Sequence, residues 1–210
     1  MSVRPAAGRV SVRRAAPSEV PQLAGVLARA FATDPMVCWP LGPVEDRPGR
    51  IQAMFEIVDR AFAAEGWIHV GGDGLGVMSL LPPGSTPRER DLGEAAAPGI
   101  AALTADGGAR YEQLWTWVDA TLPPEPRWLL DQLAVEPAAQ GLGIGGAMLR
   151  FATACAEADR LPLVLETAVG GNVPLYEHFG FRVTVDADAP DGGPHIWFMR
   201  RDPVGCREPG

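Results

Sequence analysis

The chain has 210 residues, 47% of them apolar, which is enough for one well-buried core and near the upper end of what a single domain holds. Its formal charge of −8, from 26 acidic against 18 basic residues, argues against a nucleic-acid binder that tracks phosphates with basic surface. All 18 basic residues are arginine, so Schiff-base chemistry on a lysine side chain is excluded.

No window reaches the roughly 18 uninterrupted apolar residues of a membrane span, and the opening MSVRPAAGRVSVRRAAPSEV puts no apolar stretch behind its basic residues. The expectation is a soluble, cytoplasmic protein with no membrane or nucleic-acid partner, acting as a monomer or homodimer. Cys38, Cys155 and Cys206 are odd in number and widely spaced, which suits free thiols better than a disulfide framework or zinc site. His69, His178 and His195 lack metal-ligand spacing, so no metal is expected.

Residues 10–15 read as a first strand, and Ser18 caps a helix with Val20, Leu23, Val26, Leu27 and Ala30 at helical spacing. Residues 33–48 carry four prolines and read as a loop; Ile51, Met54, Phe55, Val58 and Phe62 then form the stripe of a second helix. Strands over 67–70 and 75–81 flank the turn Gly71, Gly72, Asp73, Gly74. Residues 82–126 read as loop with one or two helices, the better one holding Tyr111, Leu114, Trp115 and Val118, and this segment is placed to cover a site. A strand over 128–135, a helix over 143–158, a strand over 163–167, a short helix over 172–179 and strands over 181–186 and 195–200 complete the chain. One domain over 9–201 is expected, with flexible ends at 1–8 and 202–210.

The richest text is LLDQLAVEPAAQGLGIGGAMLRFATACAEA. Ile144, Ala147, Met148, Phe151, Cys155 and Ala158 fall on one helical face, so Gly141, Gly143 and Gly145 sit at that helix's first turn. A helix N-terminus offers unpaired N–H groups and a positive dipole end, and glycines there let a phosphate approach the backbone. A plain tight turn would use the same residues. Gly141, Gly143 and Gly146 also fit G-x-G-x-x-G with Glu166 as a ribose-binding acid, a dinucleotide reading. Against it, residues 136–140 separate strand from glycines, and too few elements follow to build a doubly wound sheet.

Gln140-Gly141-Leu142-Gly143-Ile144-Gly145 matches the Q/R-x-x-G-x-G/A signature of the GNAT N-acetyltransferase superfamily, and LVLETAVGGNVPLYEHFGFRV resembles its second signature. The half from about Glu125 to Arg201 is similar to the puromycin N-acetyltransferase type of small-molecule acetyltransferase, in PEPRWLL, VEPAAQGLGIG, LETA, NVPLYEHFGF and IWFMRR. The resemblance implies an α+β GNAT fold, a mixed, mostly antiparallel sheet with splayed fourth and fifth strands flanked by helices. It implies acetyl-CoA as acyl donor, held by Leu133, Ala134 and Val135 along the arm, by Gln140, Gly141, Leu142, Gly143, Ile144, Gly145 and Gly146 at the pyrophosphate, and by Asn172. It implies direct acetyl transfer to a small-molecule amine in a ternary complex, with Tyr176 as general acid. A catalytically silent acyl-CoA-binding or regulatory module is the alternative from another class.

For the base two carboxylates stand out. Asp131 sits in the run Leu129, Asp131, Leu133 on one strand face, an acid among apolar residues that suits a raised pKa. Glu166 ends its strand in LET and matches the glutamate of the puromycin-type enzymes. Each would equally suit an ion pair with an arginine, and a water-relayed deprotonation is a further route. Trp39, Tyr111, Trp115 and Trp117 are available either to wall an acceptor pocket or to fill the core.

Overall fold

The computed structural model describes residues 10–85 and 92–204; the expectations for residues 1–8, for residues 205–210 and for Cys206 lie outside the described residues. Seven strands, β1 (Val12–Arg14), β2 (Ile68–Gly71), β3 (Gly76–Leu81), β4 (Trp128–Val135), β5 (Leu163–Thr167), β6 (Arg182–Asp188) and β7 (His195–Arg201), form one sheet in the order β1-β2-β3-β4-β5-β7-β6. Every pairing is antiparallel except β4 with β5. The helices are α1 (Val20–Ala30), α2 (Pro35–Leu41), α3 (Arg47–Ala64), α4 (Leu92–Leu103), α5 (Ala109–Thr121), α6 (Ile144–Asp159) and α7 (Val173–His178).

The sheet separates two cores, because successive strand side chains point to opposite faces. On one face Leu23 and Leu27 of α1, Ile51, Phe55 and Phe62 of α3 and Leu114 and Val118 of α5 pack with Val77, Leu129 and Val164. On the other, α6 presents Ile144, Met148, Leu149, Ala152 and Ala156 to Met78, Leu80, Leu130 and Leu165, with Tyr176 and Phe181 beside them. The α6 stripe is therefore turned from the predicted one: Phe151 and Cys155 are half-buried and Ala158 is exposed, since small residues at 152 and 156 let the helix lie closer on that side. Gly76 makes the same approach possible from the sheet, where a Cβ would stand 2.6 Å from Ile144 Cγ2 and Met148 Sδ.

Residues 33–48 are corrected: they contain α2, not only loop. Asp34 caps it, its Oδ1 accepting from Met36 N at 2.8 Å, Pro35 occupies the first turn where no N–H is needed, and Pro40 comes only at the end. Pro48 likewise starts α3, behind the cap Asp46. The first helix begins after a 3-10 turn (Pro17–Glu19) that Glu19 caps by accepting from Ala16 N and Arg13, so the predicted cap Ser18 lies inside that turn and the N-cap of α1 is Glu19. Beyond β7, Asp202 pairs with Arg182 and Arg200, and Val204 N donates to Glu157.

No helix among the described residues is long and apolar enough to cross a membrane.

Candidate active site

The site begins with two irregularities of β4. The pairing of β3 with β4 runs in step from Gly76↔Val135 to Ser79↔Gln132, then jumps to Leu80↔Leu130, leaving Asp131 as the extra residue of a bulge. A bulge flips the strand's phase. Leu129 packs with the α1/α3 core, but Leu133 and Val135 pack with the α6 core and Ala134 with the first. The predicted single face Leu129, Asp131, Leu133 is thereby corrected: Leu133 leaves that face.

The second irregularity lies on the other edge. β4 pairs with β5 only at Trp128↔Leu163 and Leu129↔Val164, after which the strands part. Among the described residues the β4 backbone from Leu130 to Val135 has β3 on one side and an open edge on the other, where an extended ligand can form strand-like hydrogen bonds.

The loop after β4 leads into α6. Glu136 is clamped to Arg29 by three hydrogen bonds of 2.7–3.1 Å, fixing the end of β4 against α1. Gly143 is the α6 cap with φ +82°, and a Cβ on Gly141 or Gly143 would meet nothing within 4 Å. Among the described residues nothing fills the space above these glycines; positive φ and an open approach are what they provide. The first backbone N–H here with a protein acceptor is Ala147, bonded to Gly143 O at 3.0 Å. Among the described residues the N–H groups of Gly141 to Gly146 have no protein acceptor, a run of donors at a helix N-terminus that fits a pyrophosphate.

Between the splayed strands and the α3/α5 side lies a cavity of about 560 Å³, within the range of small-molecule sites. It brings together Asp131, Glu166, Tyr176, Asn172 and Leu133 of the predicted residues. Ala134, Val135, Gln140 and the glycines lie outside its wall, along the β4 edge and helix start. Tyr111 and Trp115 line it, whereas Trp117 packs edge-on against Phe198 at 5.5 Å and Trp39 lies under the Arg110 guanidinium at 5.7 Å.

The cavity is acidic. Asp34, Asp119, Asp131 and Glu166 line it, and neither Asp131 nor Glu166 is ion-paired to an arginine among the described residues. Burial pushes Asp131 up to about 7, with repulsion from Asp119 added and the Gln132 amide opposing. Glu166 is pushed well above the usual carboxylate range by burial and then by Asp131 and Asp119, Arg127 opposing. Near neutral pH Asp131 therefore stands close to half-ionised, the property wanted in a base. Burial, Glu166 and Asp34 raise Tyr176 above the ordinary phenol range, so the hydroxyl stays protonated and has a proton to give. Its ring packs edge-on with Phe181 at 5.8 Å, which fixes its place on α7.

Asp34, Asp119 and Gln132 escaped the sequence reading. Asp34 sat in text read as loop. Asp119 follows the apolar face of α5 by one position, and Gln132 is brought to the cavity by the bulge. Asp59 is a further omission: it lies on the buried side of α3 with both oxygens unpartnered, pushed up to about 8 by burial and by Asp131.

Residues 94–183 match the family model described as "Acetyltransferase (GNAT) domain". Among solved structures, the chain is similar to a histone acetyltransferase HPA2 and related acetyltransferase from Corynebacterium glutamicum, with TM-score 0.72 and 23% identity over 94% of this chain and 98% of that one. It is also similar to a mosquito arylalkylamine N-acetyltransferase (like 5b; TM-score 0.62, 17% identity, 92% and 99% covered). A third is a Drosophila melanogaster polyamine N-acetyltransferase (TM-score 0.56, 14% identity, 92% and 99% covered). The chain has the GNAT fold, and an acetyltransferase (GNAT) domain match spans its residues from α4 to the start of β6.

Proposed function

We propose that the chain is an acetyl-CoA-dependent N-acetyltransferase, of the puromycin N-acetyltransferase type, that transfers acetyl directly to the amine of a small molecule in a ternary complex. The observation that carries it is the convergence of a half-ionised Asp131 and a protonated Tyr176 on one cavity beside the open β4 edge. The donor fits residues of this chain: unpaired N–H groups from Gly141 to Gly146 for the pyrophosphate, the edge at Leu133, Ala134 and Val135 for the arm, and Asn172 beside the cavity. When bound, acetyl-CoA supplies an activated acyl group on a thiol leaving group.

Asp131 takes a proton from the acceptor ammonium, directly or through water, freeing the lone pair that forms the N–C bond. The open β4 edge offers N–H donors to the carbonyl oxygen as charge develops there. Tyr176 gives its proton to the departing sulfur as the C–S bond breaks and is refilled, directly or through water, by the second proton that the acylated nitrogen sheds, while Asp131 passes the first to solvent. The silent-module alternative needs neither side chain, and the amine acetyltransferases among the structural relatives support the active reading.

Tyr176→Phe separates the two, since it keeps the packed ring and removes only the hydroxyl. Amine-dependent thiol release from acetyl-CoA should fall about 10²-fold or more with acetyl-CoA affinity within a few-fold. Full activity in the folded variant would return Tyr176 to the core.

A further inference from the structure

Behind the cavity wall, the sheet face that carries α1 and α3 holds a polar patch in an otherwise apolar core. Val77 and Ala134 point to this face, so Ser79, two residues after Val77, and Gln132, two before Ala134, point there too, and Ser79 and Gln132 are partners in the β3/β4 register. Asp59 lies four residues after Phe55 and three before Phe62 on α3, within the stripe that packs against the same face. Asp59 and Ser79 are fully buried and stand behind the wall, whereas Gln132 and Asp131 belong to it.

Four buried atoms of this patch have no protein partner: Asp59 Oδ1 and Oδ2, Ser79 Oγ and Gln132 Oε1. With Asp59 ionised, three of the four only accept, and the Ser79 hydroxyl is the one donor. A proton on Asp59 makes the count two donors and two acceptors, the balance that buried polar groups require. The Gln132 amide is within hydrogen-bonding reach of both Asp59 and Asp131. Repulsion agrees, since Asp131 raises Asp59, so Asp131 ionises first and Asp59 keeps its proton as it does so. The other titratable groups about Asp131 are Asp119 of α5, Glu166 of β5, Tyr176 of α7 and Asp34 before α2, with Arg127 acting on Glu166. His69 of β2 turns to Phe151 on the opposite face, and among the described residues no cation pairs with Asp59 or Asp131.

We propose that Asp59 is a positioning residue for Asp131: as a neutral acid it donates to Gln132 Oε1 and accepts from Ser79, which turns the Gln132 N–H groups onto the Asp131 carboxylate. The role rests on Asp131 being the base, as read above. Without the donor the amide is free to turn away, and the Asp131 anion becomes harder to form.

The test follows the aspartate carboxyl carbons by NMR in the full chain labelled at aspartate, assigned with Asp59→Asn and Asp131→Asn. Alongside it runs the pH profile of kcat/KM for whichever of phenylethylamine, tyramine, spermidine and agmatine releases thiol from acetyl-CoA. Asp59 should stay protonated through the titration of Asp131. Asp59→Asn, which keeps one donor and one acceptor, should leave the Asp131 midpoint and the acid limb of the profile within about 0.3 pH unit. Asp59→Leu, of similar size with neither, should move both up by about half a pH unit or more, the worth of one hydrogen bond. Its kcat/KM then falls below wild type on the acid limb and converges with it in alkali. Gln132→Met should give the same rise, and adding Asp59→Leu to it should add nothing. A downward move in Asp59→Asn shows a negative charge at Asp59 and overturns the proposal. An Asp131 midpoint unchanged in Asp59→Leu, or in Gln132→Met where Asp59→Leu does not fold, also overturns it and leaves N-acetyl transfer standing. The expected carboxyl titrations with no amine acetylated keep the Asp59 contact and overturn the transfer reading instead.

Discussion

Asp131→Asn should make the protein more stable and less active at the same time, a combination that an ordinary core residue does not give. The buried carboxyl is raised from 3.8 to about 7, so the folded chain holds the proton more tightly than the unfolded chain does. Stability therefore falls as pH rises from about 4 to 7 and stays reduced above it; the difference corresponds to about 4 kcal/mol in the alkaline limit. Asparagine removes the ionisation, keeps nearly the same shape, and still accepts from the Gln132 amide. Urea unfolding of wild type and variant at pH 4.5 and pH 8.5 should show similar midpoints in acid and a clearly higher midpoint for Asp131→Asn in alkali. Turnover at pH 7 should meanwhile drop about 10²-fold or more, and the variant should recover part of its rate as pH rises well above 7 toward the amine's own pKa. A variant that is destabilised at pH 8.5, or that keeps turnover within about tenfold of wild type, would refute the assignment.

Acetyl-CoA at about 100 times its dissociation constant adds about 2.7 kcal/mol to the folded state, so for a chain of this length the melting temperature should rise by roughly 5–10 °C. NAD should produce little shift; the reverse pattern would sink the reading of the glycine loop. Gly143→Ala forces a Cβ onto φ +82° where nothing crowds it, so its cost to folding should be confined to about 1–2 kcal/mol of backbone strain. Its acetyl-CoA-induced melting shift should shrink, and an undiminished shift would make the loop only a turn.

Most of the sheet was legible because its strands are short runs, mostly apolar, bounded by glycine and proline turns. The limits of β4 and β5, read from WLLDQLAV and LVLET, coincide with those observed. The glycine loop was legible because positive φ and open space leave a trace in composition. Residues 33–48 were misread because prolines mark helix first turns as well as loops, and only the cap Asp34 tells the two apart. The bulge was invisible: LLDQLAV alternates plausibly in either phase, and the extra residue at Asp131 is decided by the partner strand β3. With the bulge unseen, Leu133 was assigned to the wrong face. Asp34 and Asp119 were missed because each reaches the cavity from a distant part of the chain, information no local pattern holds. The choice between Asp131 and Glu166 turns on their mutual repulsion with Asp119, which exists only in three dimensions.

The parting of β4 from β5 also says something about how the molecule holds itself together. Among the described residues two residue pairs are all the strand pairing that joins the β1–β4 half of the sheet to the β5–β7 half. A donor lying along the open edge would work as an eighth strand, one the gene does not encode and metabolism must provide. The rigidity of the protein would then track the supply of its own substrate: well supplied, a continuous sheet; starved, a wedge-shaped gap bridged by the helical layers and more open to proteolysis.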